Sequence, residues 1–227
     1  VVDRDGNVLL DISDGRRYSD NAETRASTMH WLGDRKGSIQ AKAVANYAAL
    51  LAGYDKVNGL YDYAGSTGVE TLTLSASVQN TALRALNGRK GTVGVYNYKT
   101  GELLCAVTSP TGAYEGVYLN RFLQSNYVPG SIFKIVTTAA ALECVPDIES
   151  RTFYCDGAYE YGTEAVTCET AHGTLDLKGA LAHSCNCSFA QIAKLVGRKN
   201  MEKYVAKYGI TDALSFDGVT SAKGNYD

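Results

Sequence analysis

Apolar and polar positions change rhythm along this chain. From residue 1 to about 70 they keep no sustained period: the stretch is polar and dotted with glycine. Within it, only Ser38 to Ala52 reads as helix, with Ile39, Ala43, Tyr47, Leu50 and Leu51 on one side. Gly65-Ser66-Thr67-Gly68 has linker composition. Beyond it the pattern sharpens. Thr71-Leu72-Thr73-Leu74 alternates as a strand does, and Ser75 predicts the cap of a helix over Ala76–Leu86 that Asn87-Gly88 ends. Val93 and Val95, then Leu104, Ala106 and Val107, predict a hairpin over 92–108 whose turn contains Lys99-Thr100-Gly101. Ile132, Ile135, Val136, Ala139, Ala140 and Leu142 recur at helical spacing, which predicts a helix from Ser131 to about Glu143. Short extended pieces follow between Arg151 and Thr170. Helices follow over Leu175–Ala182, Cys187–Leu195 and Met201–Tyr208, the last ended by Gly209. The element mix is α/β of the α+β kind, divided as 1–70 and 71–227.

Composition narrows the function classes. With 227 residues, 45% of them apolar, the chain can bury a real core. A formal charge of -2 gives nucleic acid no electrostatic advantage as a partner. No apolar run reaches the length of a membrane span, and no charged-then-apolar leader is present. The 16 tyrosines suit a groove for a polar polymer and suit strand surfaces equally.

Candidate chemistry centres on Tyr127-Val128-Pro129-Gly130-Ser131-Ile132-Phe133-Lys134. Pro129-Gly130 turns the chain and places Ser131 at the first turn of a helix, with Lys134 one turn on along the same face. A serine hydroxyl attacks poorly until a base takes its proton, and a desolvated, neutral lysine can be that base. The helix dipole favours negative charge developing at Ser131. On the bare spacing, about one such match arises by chance in a chain this long, and the alternative is a capping serine with a solvated lysine. No histidine has an obvious catalytic partner or metal-ligand spacing. His172 precedes glycine at a turn, His183 borders a polar segment, and His30 sits beside Trp31 as a packing residue. Cys105 reads as a strand residue and Cys144 as a helix-end residue, both as buried thiols.

The context of Ser131 is that of a known family. Asn120-Arg121 and Tyr127 to Thr137 resemble the nucleophile region of penicillin-binding protein transpeptidases. His172-Gly173 and Ala180-Leu181-Ala182-His183-Ser184-Cys185-Asn186-Cys187-Ser188-Phe189 resemble their second, Ser-x-Asn block. The likeness extends more loosely from the first residues to about Lys207. It implies the penicillin-binding transpeptidase and serine β-lactamase-like fold, with 1–70 as an irregular pedestal segment of a class B-like protein and 71–227 as the transpeptidase domain. Ser19-Asp20-Asn21 and Lys99-Thr100-Gly101 spell family motifs but precede Ser131, out of the family's order. They read as cap and turn material. No Lys-Thr-Gly or Lys-Ser-Gly follows Asn186. The reading is therefore of an incomplete domain, stopping before the strand that carries the third motif and the second oxyanion donor. The first donor is the backbone N–H of Ser131.

The resemblance implies a peptidoglycan D,D-transpeptidase. Ser131 would attack a D-alanyl-D-alanine stem peptide and be acylated by β-lactams. Lys134 would be its base, Ser184 would relay a proton, and Asn186 would hold Lys134 and the substrate amide. The same first two motifs occur in serine β-lactamases and β-lactam sensors, and a non-catalytic division-machinery scaffold is the remaining alternative. No cofactor or metal is implied, and the Cys185-x-Cys187 spacing lacks a fitting partner pair for zinc. Expected partners are stem peptides, β-lactam antibiotics and cell-wall synthesis proteins, not nucleic acid. The expected location is the extracytoplasmic face of the bacterial membrane, reached through an anchor outside this chain. Related sequences often pair cysteines like Cys155 and Cys168, so a disulfide is expected there, worth roughly 3 kcal/mol in the chain-entropy model. Two reduced thiols are the alternative.

Overall fold

The computed structural model describes the chain except residues 14, 52, 56, 58, 62–67, 113–116 and 227 and the side chains of Leu50, Asp55, Leu60 and Tyr61. Most of the expected linker at 65–68 thus lies outside the described residues. Two compact units form, Val1–Ser125 with Leu214–Ala222, and Asn126–Ala213 with Lys223–Asp227.

The first unit opens with two-residue strands β1 (Leu10–Asp11) and β2 (Arg17–Tyr18), which pair antiparallel. Helix α1 (Ala22–Leu32) follows. Apolar periodicity does not announce this helix, because its buried face carries Thr24, Ser27 and Thr28 beside Trp31 and Leu32. Its start is legible: Asn21 caps it by accepting from Glu23 N and Thr24 N at 2.9 and 3.0 Å. Asn21 of Ser19-Asp20-Asn21 is thus a helix cap. The predicted 38–52 helix is shorter than its pattern. A single 3₁₀ turn, Ala45–Tyr47, leads into α2 (Ala48–Leu51). Strands β3 (Tyr54–Asp55) and β4 (Leu60–Tyr61) pair next.

Helix α3 (Ala76–Leu86) has the predicted bounds but a different cap. Ser75 makes no side-chain cap bond; Asp3 reaches across and its Oδ2 accepts from Ala76 N at 3.0 Å. Helix α3 packs on α1 through paired polar groups: Ser27 Oγ donates to Asn80 Oδ1 at 2.7 Å, and Gln79 Nε2 donates to Ser27 O at 3.0 Å. Strands β5 (Gly91–Tyr96) and β6 (Leu103–Ser109) form the predicted hairpin, with Val93 opposite Val107. Gly101, at φ +77°, lets the Lys99-Thr100-Gly101 turn close, with Asn97 N donating to Glu102 O at 2.9 Å. The hairpin packs on α3, on α1 and on α4 (Arg121–Gln124). Gln79 Oε1 accepts from Ala106 N at 2.8 Å and Trp31 Nε1 donates to Ala106 O at 2.6 Å, so both free groups of that residue are satisfied. The core here is Leu9, Leu10, Trp31, Leu32, Leu74, Ala106 and Leu123.

The second unit is built on α5 (Lys134–Cys144). The apolar positions predicted for the helix from Ser131 divide. Val136, Ala140 and Ala141 are buried, whereas Ile132, Ile135 and Leu142 are exposed. Strands β7 (Thr152–Cys155), β8 (Ala158–Tyr161), β9 (Glu164–Thr167) and β10 (Gly173–Asp176) make two antiparallel pairs, β8 with β9 and β10 with β7. Strand β10 is not visible in the sequence pattern. Three helices follow: α6 (Leu177–Ala182), α7 (Asn186–Val196) and α8 (Arg198–Lys207). Asp176 caps α6 by accepting from Gly179 N at 2.6 Å. Helices α5, α7 and α8 pack together around Val136, Ala140, Phe189, Ile192, Met201 and Tyr204. Burying a set of this kind supplies roughly 1.5–3 kcal/mol for each large side chain. Strands β11 (Ser215–Phe216) and β12 (Val219–Thr220) lie in the first unit.

Candidate active site

Gly130 stands at φ +55°, a conformation that a side chain would strain, and turns the chain into a 3₁₀ turn over Gly130–Phe133 that runs straight into α5. Ser131 is left exposed at the mouth of the helix, while Lys134 is 9% exposed. Lys134 Nζ lies 3.1 Å from Ser131 Oγ, a spacing that one helical turn sets locally.

The rest of the site arrives from some 50 residues on. Ser184 sits between α6 and α7 at φ +51°, in left-handed backbone that costs a non-glycine residue about 1–2 kcal/mol. That turn aims both its oxygens at the lysine: Nζ is 2.6 Å from Ser184 O and 3.0 Å from Ser184 Oγ. Asn186 opens α7, and its Oδ1 is 2.6 Å from Nζ. Its amide orientation follows from the other end, since Nδ2 donates to Thr167 O at the end of β9, at 2.9 Å. Ser184 Oγ donates to Ser131 Oγ at 2.7 Å. All four side chains expected at the site, Ser131, Lys134, Ser184 and Asn186, are thus within hydrogen-bonding reach. Thr167, whose carbonyl holds Asn186, has no sequence signal of its own.

These distances define a protonation scheme. The two closest partners of Nζ, Ser184 O and Asn186 Oδ1, have no hydrogen to give. A neutral amine donates its two N–H groups to them and leaves its lone pair toward the hydroxyls of Ser131 and Ser184. Burial, above all, holds the lysine below its ordinary value of 10.5, with the sulfurs of Cys168 and Cys185 pulling the other way. The Phe189 ring 5.6 Å from Nζ contributes to that apolar surrounding. Ser131 can therefore lose its proton to Lys134, and the proton can return outward through Ser184 Oγ.

The thiols depart from expectation. Cys155 and Cys168 are not joined; all six cysteines are free. The reason is positional. The register of β7 against β10 sets Cys155 opposite Gly173 and so brings His172 to it, while the β8–β9 hairpin delivers Cys168 to the start of α7. The two thiols thus meet His172, Cys185 and Cys187 and not each other alone.

The family description "Penicillin binding protein transpeptidase domain" matches residues 91–226, more than half of the chain. The chain belongs to this family. Stage V sporulation protein D of Bacillus subtilis is 26% identical over 218 residues, covering 88% of this chain and 32% of that protein. The probable peptidoglycan D,D-transpeptidase FtsI of Caulobacter vibrioides is 32% identical over 145 residues, 59% of this chain and 24% of that one. The chain thus spans a third or less of these relatives. Among solved structures, the D,D-transpeptidase domain of a peptidoglycan glycosyltransferase from Eggerthella lenta aligns with a TM-score of 0.77 at 25% identity. The alignment covers 99% of this chain and 56% of that one. Penicillin-binding protein A from Mycobacterium tuberculosis, in a ceftriaxone acyl-enzyme complex, aligns at 0.78 and 20% identity over 96% of this chain and 59% of that one, a likeness of fold. The α+β penicillin-binding transpeptidase fold expected from Ser131 and Ser184 is therefore the fold of this chain, present in part.

Proposed function

We propose that the protein to which this chain belongs is a serine-type peptidoglycan D,D-transpeptidase acting outside the bacterial membrane, with residues 1–70 as its pedestal segment. The observation that supports this most directly is the convergence of Ser131, Ser184 and Asn186 on Lys134 Nζ. Among the described residues no helix is long and apolar enough to cross a membrane. In this reading membrane attachment belongs to an anchor outside the chain.

The reaction follows from the protonation scheme. Lys134 takes the Ser131 proton as Oγ attacks the penultimate carbonyl of a D-alanyl-D-alanine stem peptide. The tetrahedral intermediate collapses as Ser184 gives its proton to the leaving nitrogen and regains one from Lys134. Terminal D-alanine departs and an acyl-Ser131 ester remains. An amine from a neighbouring strand then attacks the ester, with the same groups moving its proton in reverse. Asn186 keeps Lys134 in place and offers its amide to the substrate. A β-lactam imitates the dipeptide and leaves Ser131 acylated; the Mycobacterium tuberculosis penicillin-binding protein A forms such an acyl-enzyme with ceftriaxone. Proton transfer by a positioned base is typically worth on the order of 10²–10⁴ in rate. Incubation of full-length protein with a fluorescent penicillin tests the reading: covalent label on the peptide containing Ser131 is expected. Label elsewhere, or none on folded protein, would overturn it.

A further inference from the structure

Beside the proposed active site lies a second concentration of reactive groups. Among the described residues, Cys155, Cys168, His172 and Cys185 place three sulfurs and one imidazole nitrogen within 4.8 Å of one another. We propose that these four residues bind one Zn²⁺ in a closed four-ligand site, and that the metal fixes the segment carrying Ser184 and Asn186.

Two of the donor separations match the edges of a tetrahedral zinc site. Zinc bonds of about 2.3 Å to sulfur and about 2.0–2.1 Å to nitrogen set ligand–ligand edges of about 3.8 Å between sulfurs and about 3.6 Å between sulfur and nitrogen. Cys168 Sγ and Cys185 Sγ are 3.8 Å apart, and Cys155 Sγ is 3.5 Å from His172 Nδ1. The donors come from separate parts of the unit: the end of β7, the residue after β9, the loop before β10 and the cap of α7. Two of these sulfurs also accept hydrogen bonds from the start of α7. Cys185 Sγ accepts from Ser188 N at 3.3 Å and Ser188 Oγ at 3.1 Å, and Cys168 Sγ accepts from Cys187 N at 3.5 Å. Such bonds orient and stabilise metal-bound sulfur. Cys187 is a fourth thiol, 3.5 Å from Cys168, but its own Sγ turns to Val166 O at 3.4 Å. Three thiolates and one imidazole form a soft, closed set suited to zinc over magnesium or calcium.

The position gives the metal a task. Cys185 stands between Ser184 and Asn186, and Thr167, whose carbonyl holds Asn186, precedes Cys168. An ion there would tie the β7–β10 strands to the start of α7 at the two residues that hold Lys134. Metal binding stands independently of the proposed acylation; only its effect on labelling rests on that reading.

The test begins with metal analysis of full-length protein purified under reducing conditions without chelator. One zinc per chain is expected. Replacement by Co²⁺ should give intense visible bands and sulfur-to-cobalt charge transfer of a tetrahedral thiolate site. Cys155→Ser, Cys168→Ser and His172→Ala should each lose stoichiometric zinc, while Cys144→Ala keeps it. Zinc well below one per folded chain, or stoichiometric iron or copper, would overturn the proposal. So would an octahedral cobalt spectrum, a disulfide among these thiols, or loss of zinc from Cys187→Ala but not from Cys155→Ser. Chelation should slow penicillin labelling, with recovery on adding Zn²⁺ but not Mg²⁺. Unchanged labelling of zinc-free protein would overturn the positioning role. Zinc bound by protein that never labels would instead refute the acylation reading and leave the metal site standing.

Discussion

Asp3 in the first unit and Lys134 in the second are both charged side chains withdrawn from water, and their surroundings differ in kind. Asp3 is fully buried, and every oxygen of its carboxylate is met by donors. Oδ1 accepts from Asp5 N and Asn7 N at 2.9 and 2.8 Å, and Oδ2 accepts from Ala76 N at 3.0 Å and Asn7 Nδ2 at 3.0 Å. Burial pushes its pKa up, but the bonds from Asn7, Ala76 and Asp5 more than offset that and hold it below 3.8. Lys134 meets only hydroxyls, a carbonyl and an amide oxygen, and burial lowers its pKa. A buried charge whose donors complete it is inert and stabilises the fold. A buried cation given no carboxylate stays ready to lose its proton.

The largest effects should separate the two regions outright. Ser131→Ala should abolish penicillin labelling, because the acylated oxygen is gone, and Lys134→Ala should slow it by on the order of 10²–10⁴. Asp3→Ala should leave the labelling rate of the folded protein unchanged. A folded Asp3→Ala variant that labels as poorly as Lys134→Ala would erase the distinction.

Second is the pH dependence. In the proposed mechanism the neutral amine of Lys134 is the active form, and its pKa is lowered, so the labelling rate should rise with pH through a midpoint below 10.5. Stopped-flow labelling across pH would measure it. A rate that falls as pH rises through this range would mean that the ammonium is the active form.

Third, Asp3→Ala should cost roughly 3 kcal/mol in urea unfolding, since it removes charge-assisted bonds and leaves backbone donors orphaned. The sign of its acid dependence follows from the lowered pKa. The stability that Asp3 contributes is complete above the unfolded value and is lost as pH falls through the lower folded one. The wild type should therefore lose, below about pH 4, an increment that Asp3→Ala does not have to lose. Parallel acid profiles for the two proteins would show that the network contributes nothing as a charged group.

The smallest effect compares two left-handed residues, Asn87 at φ +47° and Ser184 at φ +51°. Ser184→Gly should gain up to about 1 kcal/mol and Asn87→Gly roughly a few tenths, by relief of backbone strain. Only Ser184→Gly should slow labelling, because in the proposed mechanism it removes the proton relay. Equal labelling by both variants would assign Ser184 a purely structural place.

Legibility followed the range of the interactions. Lys134 beside Ser131 was readable because the geometry of one helical turn sets it. Ser184 and Asn186 were readable only as a resemblance, since no local pattern says that Lys134 lies 2.6 Å from Asn186 Oδ1. Helix α1 escaped the apolar pattern because Thr24, Ser27 and Thr28 fill its buried side, paired in part with Asn80 and Gln79 of α3. The periodicity of α5 was real but did not say which face is buried; Ile135 and Leu142 are exposed while Ala140 and Ala141 are not.

The thiols mark the same boundary. Cys155, Cys168, His172 and Cys185 stand 12, 3 and 12 residues apart, counting those between, and that spacing has no regular period. A disulfide was expected because related sequences often pair cysteines like Cys155 and Cys168. What the pattern could not show is that β10 pairs with β7 and brings His172 to Cys155, or that the cap of α7 adds Cys185. By itself the sequence determined what local sterics and one-turn spacing determine: the helix at Ser131, the turn at Gly101, the cap material at Ser19-Asp20-Asn21, and the family to which the chain belongs. The tertiary structure alone decided which distant groups meet. Contacts between residues far apart in the chain depend on strand register and helix packing, which many segments set together and no single segment encodes.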